Sequence, residues 1–108
     1  MSIDPAALTP YREALGAGFI LELIDTFLNS TPEIIAALYT SISTNDSGLF
    51  IRSAHTLKSN SVIFGAQLLS SLSLELETAG KTVGIELATL LPKVDQLKAE
   101  YEQVCREL

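Results

Sequence analysis

The chain has 108 residues, 47% of them apolar and 6% aromatic, and a formal net charge of −6. That is one domain's length, enough to bury a core without metal or disulfide help and too apolar for disorder. The negative charge excludes a nucleic-acid binder, which needs a basic face, and one Cys with one His excludes an internal disulfide and a zinc site.

No apolar run approaches the roughly 20 residues of a membrane span. The start, Met1-Ser2-Ile3-Asp4-Pro5, lacks the basic and apolar regions of a signal peptide. The expectation is a soluble, cytoplasmic single domain over residues 1–108, either a whole protein or a segment of a larger one.

Asp4-Pro5 and Thr9-Pro10 read as N-cap and N1 pairs, which predicts a short first helix or two helical turns over 5–15, ended by Gly16 and Gly18. Apolar residues at 20, 23, 24, 27, 34, 35, 38 and 42 follow helical spacing. Thr31-Pro32-Glu33 interrupts them, so a kink is expected near 28–32, or two helices meeting there. Asn45-Asp46-Ser47 reads as a turn with Asp46 as N-cap.

A third helix is predicted over about 47–64, closed by Gly65, and a fourth over about 66–80, closed by Gly80. Its expected core residues are Leu68, Leu69, Leu72, Leu76 and Ala79. A fifth begins near Gly84 and carries Pro92 inside it, where a bend is expected. Short turns between long amphipathic helices imply antiparallel neighbours. The predicted fold is all-α, an antiparallel four-helix bundle with a short N-terminal helix.

His55 is the only histidine. A lone His is usually an ordinary surface or core residue. Its place on the third helix argues otherwise. With Phe50 set at zero and about 100° per residue, Ala54, Leu57, Ser61 and Phe64 form the buried stripe. His55 then lies at about 140° and Ser59 at about 180°, both outward. Gly48, Ile51, Ser59 and Val62 share that outer face, where Lys, Glu and Arg are normal. A His ringed by small and apolar groups suggests a docking surface. The ordinary alternative is that Ile51 and Val62 flank a wide core stripe.

Lys58, three residues past His55, is within reach on a helix surface, where its ammonium would hold the oxygens of a phosphoryl group on the imidazole. Counting back across the turn at Gly65, the residue facing His55 falls near Glu75, with Ala66, Ser70, Ser73, Glu77 and Lys81 on the flank of the fourth helix. A carboxylate accepting the Nδ1–H would fix the tautomer and leave Nε2 as nucleophile. Glu77 is the candidate. The competing reading, an exposed Glu77–Lys81 pair on a solvated face, is equally compatible with the spacing.

The stretch Ala54-His55-Thr56-Leu57-Lys58-Ser59-Asn60-Ser61-Val62-Ile63-Phe64-Gly65-Ala66, followed by Leu69, Leu72 and Leu76-Glu77, resembles the signature of histidine-containing phosphotransfer (HPt) domains. Phe27 with Thr31-Pro32-Glu33 is similar to that family's second helix. The resemblance implies that His55 is the phosphorylated residue, Lys58 its electrostatic partner, and Glu77 a residue that hydrogen-bonds the imidazole. It implies that Gly65 keeps the surface beside the His open. Ile51, Ser59, Val62, Gly65, Ala66, Ser73 and Lys81 are the expected docking surface. Ser59 stands where the family usually has Gly, and Asn60 where it has Ser, so partner choice is the property these departures touch.

The resemblance further implies a phosphocarrier without kinase activity or a cofactor of its own. Mg²⁺ is expected on the partner. The expected partners are response-regulator receiver domains and a sensor histidine kinase, the carrier itself being a monomer or a module of a hybrid kinase. The alternatives are the phosphoacceptor domain of a chemotaxis-type kinase, and a helical interaction module that has lost the chemistry.

Overall fold

The computed structural model describes residues 2–108, and these are all-helical. A 3-10 turn at Pro5–Leu8 leads into α1 (Thr9–Leu15), followed by α2 (Ala17–Thr44), α3 (Ser47–Ile63) and α4 (Gln67–Gly80); a second 3-10 turn, Leu87–Leu90, leads into α5 (Leu91–Glu107). Among the described residues no helix is long and apolar enough to cross a membrane.

Local chemistry sets the boundaries. Asp4 caps the first turn by accepting the Ala6 N–H, and Asp46 caps α3 by accepting the Leu49 N–H at 3.0 Å. Gly16, at φ +88°, separates α1 from α2. Asn45 ends α2 in the left-handed region that Asn tolerates (φ +54°).

The long helices pair antiparallel. The Phe27 ring on α2 packs on Phe64 past the end of α3, with centroids 4.7 Å apart, while the short Asn45–Asp46 connection joins their other ends. Tyr39 donates to Asp95 at 2.6 Å, and Tyr101 reaches the Leu28 carbonyl, so α2 and α5 also run in opposite senses. Gly80 lets α4 lie tight against α3: a Cβ there would lie 2.8 Å from the Phe50 ring and 3.1 Å from Ile51. Leu38, Phe50, Leu57, Leu69, Leu76 and Leu97 are fully buried between these helices. Each such side chain contributes about 1.5 to 3 kcal/mol by leaving water.

The N-terminal segment is packed into the same core. Ile3 and Leu8 are buried, the Asp4 N–H donates to the Phe64 carbonyl, and Glu107 accepts the Ser2 and Ile3 N–H groups at 2.7 and 3.1 Å.

Four expectations need correction. Gly18 lies inside α2, because Gly16 alone supplies the break. No second helix starts at Thr31–Glu33: α2 is one helix of 28 residues, about 42 Å long, running through Pro32. The carbonyl that Pro32 leaves without a donor is that of Leu28, and the Tyr101 hydroxyl donates to it at 3.5 Å. Pro92 opens α5 in its first turn, where a missing N–H costs nothing, so it is a start signal rather than a bend. Leu68 is 52% exposed, because Leu69, Leu72 and Leu76 take the inward face of α4.

Candidate functional site

His55 sits in the middle of α3 on the face beside α4. Its side chain is 57% exposed, while that of Glu77 across the gap is 9% exposed. The His55 Nδ1 lies 2.9 Å from Glu77 Oε2. A carboxylate can only accept there, so in the neutral ring this contact favours the proton on Nδ1 and the lone pair on Nε2. Lys58 donates to Glu77 Oε1 at 3.3 Å, and Lys81 donates to Oε2 at 3.4 Å. One nearly buried carboxylate therefore gathers an imidazole and two ammonium groups from two helices.

The electrostatics follow. Burial works against a charged Glu77, but the hydrogen bonds from Lys58, His55 and Lys81 outweigh it and hold the carboxyl below the usual carboxylate range. Glu77 is thus an anion at neutral pH, able to stabilise positive charge that develops on the ring. The reading of Glu77 and Lys81 as a plain exposed pair does not hold, since Glu77 is buried.

His55 faces Glu77, not Glu75, which is turned to α5 and pairs with Lys93. The connection is Phe64–Ala66, so the pairing is symmetric about Ala66 rather than Gly65, and moving the centre by one residue moves the facing position by two.

The expected docking residues separate into two groups. Ser59, Val62 and Lys81 are exposed around the imidazole, and Ile51 is half-buried beside Gly80. Ala66 and Ser73 are buried, at 1% and 0% exposure, and offer no surface to a partner. Ala66 lies inside the α3–α4 connection, and Ser73 faces inward with its hydroxyl returned to the Leu69 carbonyl at 2.8 Å. Gly65 does not open the surface beside His55 either. It has φ +63°, and a Cβ there would lie 2.6 Å from Asp4 Cβ and 3.0 Å from Ala7 Cβ. It seats the N-terminal segment against the turn.

The sequence put Lys58 and Lys81 near His55 but did not show that both converge on Glu77. The spacing carried a partial signal, since Lys58 and Lys81 each lie one turn from a member of the His55–Glu77 pair. Among the described residues no cluster of His, Cys, Asp and Glu has metal-binding geometry.

Comparison with curated proteins gave no match, and comparison with solved structures gave none. A family model described as Hpt domain matches residues 22–107, which takes in α3, α4, α5 and nearly all of α2. The chain belongs to the Hpt domain family, whose members carry out histidine phosphotransfer in two-component signalling.

Proposed function

We propose that this domain is a phosphorelay carrier that takes a phosphoryl group onto His55 Nε2 from a response-regulator aspartate and passes it to another. The observation that carries the reading is the half-exposed imidazole tied at Nδ1 to the nearly buried Glu77. The four long helices, read as an antiparallel four-helix bundle, are the rigid mount that holds the nucleophile in line for attack.

In the forward step the Nε2 lone pair attacks the phosphorus of the aspartyl phosphate. The N–P bond forms, the P–O bond to the aspartate breaks, and the carboxylate leaves with its electron pair. The proton stays on Nδ1, so the ring becomes cationic, and Glu77 Oε2, 2.9 Å from Nδ1, accepts that N–H and stabilises the charge. Passing the group on reverses each change. Lys58, held by Glu77 at rest, exchanges its bond to Oε1 for one to a phosphoryl oxygen.

The receiver domain supplies the aspartate and its Mg²⁺, so the carrier needs no cofactor or kinase activity of its own. We place it in the cytoplasm as a monomer, docking receivers around Ile51, Ser59 and Val62, with a sensor histidine kinase upstream of the relay. The intact grouping of His55, Lys58 and Glu77 favours active chemistry over a degenerate interaction module.

The test is transfer from a receiver domain charged with acetyl phosphate and Mg²⁺. His55→Gln should keep the helical spectrum and take up no acid-labile phosphate. Uptake by that variant would refute the assignment. Lys58→Ala should slow transfer or shorten the phosphohistidine lifetime.

A further inference from the structure

We propose that Lys81 is a positioning residue for phosphoryl transfer, acting on the imidazole through Glu77 rather than by touching a partner. This deepens the reading of His55 as the carrier and rests on it.

A Glu side chain has three rotatable bonds, and its terminal torsion is broad, so its carboxylate plane is fixed only by what binds it. Lys58, from α3, draws on Oε1. With that bond as the only cationic tie, the group is free to turn both oxygens toward the ammonium and leave Nδ1–H unpaired. Lys81, the residue that caps the C-terminal end of α4, draws on Oε2 at 3.4 Å, the same oxygen that lies 2.9 Å from His55 Nδ1. The two ammonium groups hold opposite ends of the carboxylate, and Oε2 stays aimed at Nδ1. Nε2 then stays the unprotonated nitrogen.

Placement supports a role beyond stability. Lys81 is 60% exposed and lies four residues after Glu77, the favourable order for a helical pair. Its ammonium stands largely in water, where screening keeps its share of the folding free energy small. Its value lies in where it holds Oε2. Because Lys81 is tied to the oxygen on the Nδ1 side of the ring, its pull is on the tautomer, away from the nitrogen that carries the phosphoryl group.

The experiment compares Lys81→Ala and Lys81→Arg with wild type in three measurements. The first is the nitrogen-15 spectrum of the unphosphorylated ring, which reports the share of Nδ1–H and Nε2–H tautomers. The second is direct phosphorylation by phosphoramidate, a small donor that needs no docking surface. The third is transfer from a charged receiver domain over a range of receiver concentrations.

Lys81→Ala should raise the Nε2–H share and slow phosphoramidate uptake. It should lower the saturating transfer rate by about tenfold, the scale seen when a residue orienting a reacting group is lost. The half-saturating receiver concentration and the thermal midpoint should stay as in wild type, and Lys81→Arg should restore the rates.

A change confined to the half-saturating concentration would make Lys81 a docking residue and overturn the proposal. A slower rate with an unchanged tautomer would mean direct contact with the phosphoryl group, and would overturn it as well. The ring spectrum is read without any phosphoryl group. It therefore judges the role of Lys81 even if His55→Gln were to show that His55 is not the carrier.

Discussion

His55 and Glu77 are 22 residues apart in the chain and 2.9 Å apart across the gap between α3 and α4. One side chain is open to water and the other is not. An exposed imidazole by itself is unoriented and samples both tautomers. A buried carboxylate by itself is costly. Together they give an exposed imidazole whose Nδ1 is held by a carboxylate.

Glu77→Gln tests the charge in that pair. The amide keeps an acceptor for Nδ1–H but loses the anion that pairs with the two lysines and, in the proposed transfer, stabilises the cationic phospho-ring. Transfer from a charged receiver should slow by about 10- to 100-fold, the range for groups that orient a reacting residue. Wild type should also gain stability relative to the variant as pH rises. The Glu77 carboxyl is held low in the folded state, so the unfolded chain binds its proton first. That contribution is complete above the ordinary value of 4.5 and fades as pH falls below it. Parallel stability–pH curves for the two proteins would show that Glu77 is not held as an anion.

How much of this was legible in the sequence depends on distance along the chain. Helical periodicity gave α2 to α5, though α5 starts at Leu91 and not near Gly84, and Asp46 announced the start of α3, because these signals are local. The outward direction of His55 followed from its angle to Phe50, which is also local. What crosses between helices was harder to read. The count across the turn centred the facing position near Glu75, two residues short, because the centre of the turn was set at Gly65, although Glu77 was still the acceptor named. Ser73 and Ala66 were read as surface because small residues look the same in a flank as in a tight interface. Two of the partners of Glu107, Ser2 and Ile3, lie more than 100 residues away, and no spacing rule connects them.

Gly65→Ala probes the seat of the N-terminal segment. Alanine at φ +63° carries a backbone cost of about 1 to 2 kcal/mol. The new Cβ must also displace Asp4 or Ala7, both of which are backbone-anchored neighbours. The variant should lose at least about 1 kcal/mol in denaturant unfolding. The Asp4 amide, bonded to the Phe64 carbonyl, should exchange faster than the amides of α4. Unchanged stability and exchange would mean that the turn and the segment are not packed as described.

Pro32→Ala returns a donor to α2. The Leu28 carbonyl is left to a 3.5 Å bond from Tyr101, which is at the long limit of a hydrogen bond. Pro32 is exposed, so the change removes little packing. Restoring the intrahelical bond and a better helix former should stabilise the fold by about 1 to 3 kcal/mol, less what proline saves in the unfolded chain. Loss of stability in thermal unfolding would show that α2 depends on its proline.

The Glu107 carboxyl gives the N-terminal segment a pH range of its own. The Ser2 N–H bond is the main cause of its lowering, burial opposes it, and the Gln103 and Ile3 bonds add to it, leaving the group pushed down to about 2. The folded value lies below the unfolded one, so the tie is complete above pH 4.5 and weakens as pH falls toward 2. Amide exchange at Ile3 and Asp4, corrected for the intrinsic rate at each pH, should therefore stay slow through mildly acidic pH and quicken only as Glu107 protonates. In Glu107→Gln the same amides should be less protected at neutral pH, because an amide oxygen is a weaker acceptor than a carboxylate. Equal protection in the two proteins at neutral pH would show that Ile3 and the Asp4–Phe64 bond hold the segment without the carboxylate.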